Sequence, residues 1–168
     1  MTIKAIPIGE FDFTPYGTYY NLKEDAERVS HTKTDAYEDH MTKAPLIDTL
    51  GHLGYTIGGA APCEVRSMEK HAHTEEAIFC MAEPVILCVA LPHGGEPPRA
   101  EDVCAVLLSP GEAAVMAREV WHDACRGLGK PAGYYYLAKA GERPADWLPV
   151  SARQGCFSDR RRSARGCR

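Results

Sequence analysis

The sequence predicts an all-β sandwich or barrel, and three observations carry that reading. Short strand-like segments at 64–70, 76–81, 85–91, 103–108, 113–116 and 133–138 follow one another closely. The breaks between them are charged or rich in glycine and proline, clearest at Pro84, in the run from Pro92 to Pro98, and at Ser109-Pro110-Gly111. Helical periodicity is almost absent, and many short strands separated by turns are the pattern of sandwiches and barrels.

Taken in order, Ile3-Lys4-Ala5-Ile6-Pro7 alternates like a short edge strand, which the proline ends or leaves unpaired. Phe11 to Gly17 is an aromatic turn, with Pro15 presetting φ and Gly17 letting the chain reverse, and it is expected to plug one end of the core. Residues 23–45 are the most polar part of the first half. They are expected to form one short helix or an irregular arm ended by Pro45, with His31 and His40 in solvent. Leu53 to Ala60 alternates with period two and ends in glycines, as a strand and turn do. The run Val85-Ile86-Leu87-Cys88-Val89-Ala90-Leu91 is apolar throughout and so belongs at the centre of a sheet, covered on both faces. After Trp147 the apolar pattern stops and Arg160-Arg161-Arg162 appears. The organisation expected is one barrel domain over 1–148 and a mobile or loosely packed basic tail over 149–168.

A chain of 168 residues is long enough to bury a genuine core as one domain. Its net charge of −4 argues against nucleic acid, which needs a basic surface. No apolar run approaches the ~20 residues that span a bilayer, and residues 1–5 contain no signal-peptide core, so a cytoplasmic protein without membrane contact is expected. Seven cysteines at irregular spacing, with no Cys-x-x-Cys pair, are not a disulfide framework. Cys80, Cys88 and Cys104 lie in apolar runs and read as small buried hydrophobes.

The chemistry concentrates at Glu69-Lys70-His71-Ala72-His73-Thr74-Glu75-Glu76. On a strand, His71 and His73 project to one side about 6.6 Å apart, at ~3.3 Å per residue, and two such imidazoles can lean onto one ion. Glu75 or Glu76 could add an oxygen ligand, completing a mixture that Zn, Mn, Ni or Fe accepts. Without a metal, the same stretch would be a polar edge strand. A second element follows the Pro110-Gly111 turn, where His122 comes directly after Trp121, a large aromatic expected to pack beneath it. A barrel that sets the two strands side by side makes His122 a third imidazole.

His-x-His with a glutamate, followed by a Pro-Gly strand and a later histidine, resembles the cupin superfamily of metal-holding jelly-roll barrels. Glu76 comes one residue early for that pattern, and Glu83-Pro84 replaces the usual glycine. The closer resemblance is to the ureidoglycolate lyase family, and it rests on four motifs in the same order between about residue 3 and residue 140. Phe13-Thr14-Pro15-Tyr16-Gly17 matches Phe-x-Pro-Tyr-Gly, and Ala60-Ala61-Pro62 stands for Ala-Gln-Pro. Met68-Glu69-Lys70-His71-Ala72 and Glu76-Ala77-Ile78-Phe79-Cys80-Met81 stand for Leu-Glu-Arg-His-Pro and Gln-Ala-Phe-Ile-Pro-Met. Val120-Trp121-His122-Asp123-Ala124 stands for Val-Trp-His-His-Pro. Lys70, Glu76 and Asp123 depart from the family's residues and His73 is added, which together make a more conventional three-histidine, one-carboxylate site.

The resemblance implies a cupin-type double-stranded β-helix with a few short peripheral helices. It also implies a homodimer, and a lyase of purine and allantoin breakdown that eliminates urea from ureidoglycolate to leave glyoxylate. The expected ligands of a divalent ion are His71, His73, Glu76 and His122. Glu75 or Asp123 is the expected base, with Lys70 beside them. Arg66, Lys70 or Arg118 would pair with the substrate carboxylate, with Tyr136 also on the substrate. Two other readings fit the same residues. One is a metal-dependent isomerase or oxygenase acting on a small polar acid. The other is a non-catalytic ligand-binding cupin whose cavity is filled by Tyr134, Tyr135, Tyr136 or Met116.

Overall fold

The computed structural model describes residues 1–94, 96–141 and 147–151. Among these the strands are β1 (Ile6–Pro7), β2 (Gly17–Asn21), β3 (Val29–Lys33), β4 (Glu38–Thr42), β5 (His52–Gly58), β6 (Ala60–Ala61), β7 (Ser67–Met68) and β8 (Glu76–Phe79). They continue with β9 (Val85–Ala90), β10 (Cys104–Leu108), β11 (Glu112–Met116), β12 (Trp121–His122), β13 (Arg126–Leu128), β14 (Ala132–Ala138) and β15 (Leu148–Pro149). One sheet runs β1-β10-β9-β13-β6 with β12 added beside β9, and the other runs β2-β11-β8-β14-β5. The inner faces of the two sheets form a single core, as a jelly-roll barrel requires. Leu87, Val89, Val106 and Leu108 from the first meet Ile78, Ala114, Met116 and Tyr134 from the second.

Period-two alternation explains how β9 can be apolar at every position. Val85, Leu87 and Val89 point into this core, while Cys88 and Ala90 join a second cluster on the sheet's outer side, around Met68, Val103 and Trp121. Each fully buried aliphatic side chain contributes about 1.5–3 kcal/mol, so the central strand is held from both sides. The aromatic turn packs into the core: Phe13 and Tyr16 are buried in the main cluster, their rings 5.8 Å apart. The five described cysteines are free thiols. Burial pushes the Cys88 thiol up to about 12, consistent with a packing role.

Three expectations change. The segment 23–45 contains the β3–β4 hairpin in place of a helix or irregular arm. Its turn is shaped by Thr34, whose hydroxyl accepts hydrogen bonds from the amides of Ala36 and Tyr37. The peripheral helices reduce to two 3-10 turns among the described residues, Ile8–Glu10 and Ala100–Asp102, and no helix is long and apolar enough to cross a membrane. The packed chain also continues past 148. Leu148 and Pro149 pair with β7, and the Ser151 amide donates to the Pro98 carbonyl. The remainder of the expected tail, 152–168, lies outside the described residues.

Gly17 opens β2 with φ +146°, and a Cβ there would stand 1.9 Å from the Val115 carbonyl oxygen. Gly17→Ala is therefore expected to cost about 2–4 kcal/mol through backbone strain and overpacking. A lower urea midpoint at unchanged m-value would register the loss.

Candidate functional site

The site begins with one rung of backbone pairing. The Glu69 amide donates to the His122 carbonyl and the His122 amide to the Glu69 carbonyl, both at 2.8 Å. Directly opposed residues of an antiparallel pair project their side chains to the same face. Their neighbours then take the other face: Met68 and Trp121 enter the outer apolar cluster, and the glutamate and histidine turn into the barrel. The Glu119 amide adds a second tie by donating to the His71 carbonyl at 2.9 Å. The Lys70 ammonium is ion-paired with the Glu119 carboxylate and sits 5.0 Å from the centre of the Trp121 ring. Two distant segments are thus clamped together with their functional side chains aligned.

The residues 70–75 between β7 and β8 form a bend, so the strand geometry expected for His71 and His73 does not occur. Their rings stand 5.8 Å apart and nearly perpendicular, and the exposed His73 donates from Nε2 to the Lys139 carbonyl at 3.0 Å. His71 turns instead toward His122, with ring centres 5.1 Å apart. Glu76 opens β8 on the inward side, sharing a face with Ile78. Its Oε2 stands 2.9 Å from His71 Nε2 and 3.5 Å from His122 Nε2. Glu69 Oε1 stands 3.8 Å from His122 Nε2. The donor atoms of Glu69, His71 and His122 all lie within 4.8 Å of one another.

His122 tests whether this set suits a metal. A carbonyl can only accept, so Nδ1, at 3.1 Å from the Val120 carbonyl, carries a proton, and Nε2 is the nitrogen turned toward the carboxylates. That nitrogen is buried and has no hydrogen-bond partner among the described residues, because 3.5 Å to Glu76 is at the limit of hydrogen-bond reach. A ring oriented by a backbone carbonyl, with its other nitrogen facing carboxylates, is how proteins prepare a histidine ligand. The residues fit a divalent cation of the Zn, Mn, Ni or Fe type.

Burial and charge act against each other here. Burial pushes Glu76 up, but His122 and His71 outweigh it and hold the carboxyl at about 2. Burial pulls His122 down, and the facing Glu76 carboxylate more than reverses this, raising it overall. Glu69 is raised by burial against the pull of His122 and His71, and Asp123 is raised by burial against the pull of Arg126.

The cluster opens into a cavity of about 400 Å³. Tyr134 and Tyr136, considered above as fillers, form its wall and leave this space open. Asp123 lines it, with one carboxylate oxygen accepting from the Ala124 amide and the other from Arg126 at 2.9 Å. His52, His73, Lys139 and Trp147 also line it. The other residues singled out in the sequence have different partners. Glu75 accepts from the Asp48 amide, Arg66 pairs with Glu64, and Arg118 makes a two-pronged contact with Asp48. Among the described residues, Lys139 is the cavity's lysine or arginine. Sequence reasoning passed over both Lys139 and Glu69. For Glu69 the signal was its place beside the apolar Met68, which alternation sends to the opposite face.

Fold and cluster together define a cupin-type jelly roll whose cavity carries histidines and carboxylates suited to a metal. More particularly, the chain belongs to the ureidoglycolate lyase family, whose model matches residues 1–150. A Ureidoglycolate lyase of Mesorhizobium japonicum is 22% identical over 144 residues, which cover 83% of this chain and 87% of that protein. Among solved structures, the Mycobacterium tuberculosis rmlC epimerase aligns at 13% identity over 70% of this chain with a TM-score of 0.47, and the chain spans 63% of that protein's length. The dTDP-4-dehydrorhamnose 3,5-epimerase of Elizabethkingia anophelis aligns at 10% identity over 69% of this chain and 68% of its own, with a TM-score of 0.45.

His122→Ala should lower the metal content of purified, dialysed protein by one equivalent per chain, read by elemental analysis. Unchanged content would exclude His122 as a ligand.

Proposed function

We propose that this protein is a metal-dependent lyase that eliminates urea from ureidoglycolate and releases glyoxylate. The observation carrying the reading is the buried Nε2 of His122, without a hydrogen-bond partner among the described residues and turned toward His71, Glu76 and Glu69 in the cavity, in a chain of this family. His71, His122, Glu76 and Glu69 would hold the divalent ion, Zn, Mn, Ni or Fe, with His73 at the cavity's edge as a further imidazole. When bound, the ion polarises the substrate's hydroxyl and makes its proton easier to remove.

Asp123 is the base of this reading. It lines the cavity, whereas Glu75 is taken up by the Asp48 amide. Its carboxylate accepts the hydroxyl proton as the carbon–oxygen double bond forms and the carbon–nitrogen bond breaks. The same proton then passes to the departing urea nitrogen, so one carboxyl serves as base and then as acid. Burial raises Asp123 toward the range such a group needs, and Arg126 fixes its orientation. Lys139 takes the substrate's carboxylate by a charge-assisted contact, and Tyr136 offers a hydroxyl and an apolar wall. The homodimer implied by the family has a candidate face on β5, where Leu53, Tyr55 and Ile57 present an exposed apolar stripe.

The test supplies ureidoglycolate with Mn, Ni, Zn or Fe and measures glyoxylate. No product with any of the four removes the proposal. Asp123→Asn should reduce kcat by roughly 10²–10⁴-fold, the span of general acid–base catalysis. In the unmutated enzyme the rate should rise with pH along an acid limb set by Asp123 losing its proton. Because the Asp123 pKa is raised, that limb lies above the ordinary aspartate range, and it should be absent from the variant.

A further inference from the structure

A second histidine–carboxylate cluster stands on the β3–β4 hairpin, away from the barrel cavity. Antiparallel register places His31 opposite His40 and Lys33 opposite Glu38, so period-two alternation gathers all four on one face. The imidazoles stack with ring centres 4.5 Å apart and planes inclined by 11°. One oxygen of Glu38 stands 2.9 Å from His31 Nε2 and 3.6 Å from His40 Nε2, so both rings turn the same nitrogen toward one carboxylate. The three donor atoms lie within 4.8 Å of one another. Two donors on one ion stand up to ~4.2 Å apart at bond lengths of about 2.0–2.2 Å, so small rotations of exposed side chains close the set.

The other oxygen of Glu38 is held by Lys33 Nζ at 3.0 Å. That contact orients the carboxylate from behind and leaves its second oxygen to the histidines, as an outer partner does for a ligating carboxylate. The hairpin also has a use for a cross-link. Two strands alone are marginally stable in water, and from Ser30 to Met41 none of its residues is buried.

From this arrangement we infer that His31, Glu38 and His40 form a surface site for a borderline transition-metal ion such as Zn, Ni or Cu, which staples β3 to β4. Imidazole with one carboxylate favours these ions over Mg or Ca, which prefer all-oxygen shells. The three-ligand set leaves positions for water. This site is independent of the barrel cluster and of the activity proposed for it.

The test titrates Zn²⁺ into the full chain by calorimetry. The unmutated protein should bind two equivalents, and His122→Ala should retain one. Adding His31→Ala and His40→Ala to His122→Ala should weaken the remaining binding at least tenfold. Unchanged affinity in that triple variant, or no remaining binding in His122→Ala alone, overturns the inference. A second readout uses the unmutated chain. Zn²⁺ should shift the ring-proton resonances of both His31 and His40 and slow amide exchange in β3 and β4, and rings that stay unshifted at saturation also overturn it.

Discussion

The reciprocal pair of backbone hydrogen bonds between Glu69 and His122 is the constraint on which the cavity depends. Each half of the site comes from a different part of the chain, and neither part has enough regular structure to fix a side chain alone. β7 and β12 are two residues each. Pairing Glu69 with His122 sets their separation by the pitch of a β-ladder, a quantity side-chain repacking hardly alters. Alternation then does the sorting, because the apolar neighbours Met68 and Trp121 have a buried outer cluster to enter and the polar residues are left facing inward. The Lys70–Glu119 ion pair and the His71 carbonyl contact extend the clamp to Lys70 and His71 on one segment and to Glu119 on the other.

Electrostatics explains why these inward groups stay together. A buried carboxylate or imidazolium is costly unless it is paired, and removing one partner of a buried pair costs about 3–5 kcal/mol. Here Glu76 is shared between two imidazoles and is held ionised by them, despite burial that works the other way. A cation offers the same compensation more completely, since it satisfies the unpartnered His122 nitrogen and the carboxylates at once. The cluster is therefore arranged for positive charge at its centre, which agrees with a family whose chemistry acts on a small hydroxy acid.

Much of the fold was legible because β9, β10, β11 and β14 are apolar runs or alternations bounded by proline and glycine, and such signals are local. The β3–β4 hairpin was not, because its faces are polar and give no apolar period to read; only its cross-strand partners reveal it. The site was partly legible for the same reasons. His71, Glu76 and His122 stand out as residue types suited to a metal, and all three meet in the cavity. His73 was expected beside His71 by strand spacing, but the chain bends there, the two rings stand nearly perpendicular, and His73 directs its Nε2 to the Lys139 carbonyl. Glu69 escaped notice because its role is set by a partner far downstream. Arg66 and Arg118 looked free for a substrate, while in the fold each has a carboxylate nearby, and among the described residues the lysine or arginine lining the cavity is Lys139.

The split origin of the barrel cluster also bears on biosynthesis. A nascent chain emerging from the ribosome carries His71 and Glu76 well before His122 exists, and β12 has no place to lie until β9 has been laid down in its sheet. The donor set of the cavity is therefore complete only in the finished barrel, so a cation bound there would load after folding and would not guide its early steps. His31, Glu38 and His40, by contrast, are all translated within a single hairpin, whose register alone brings them together.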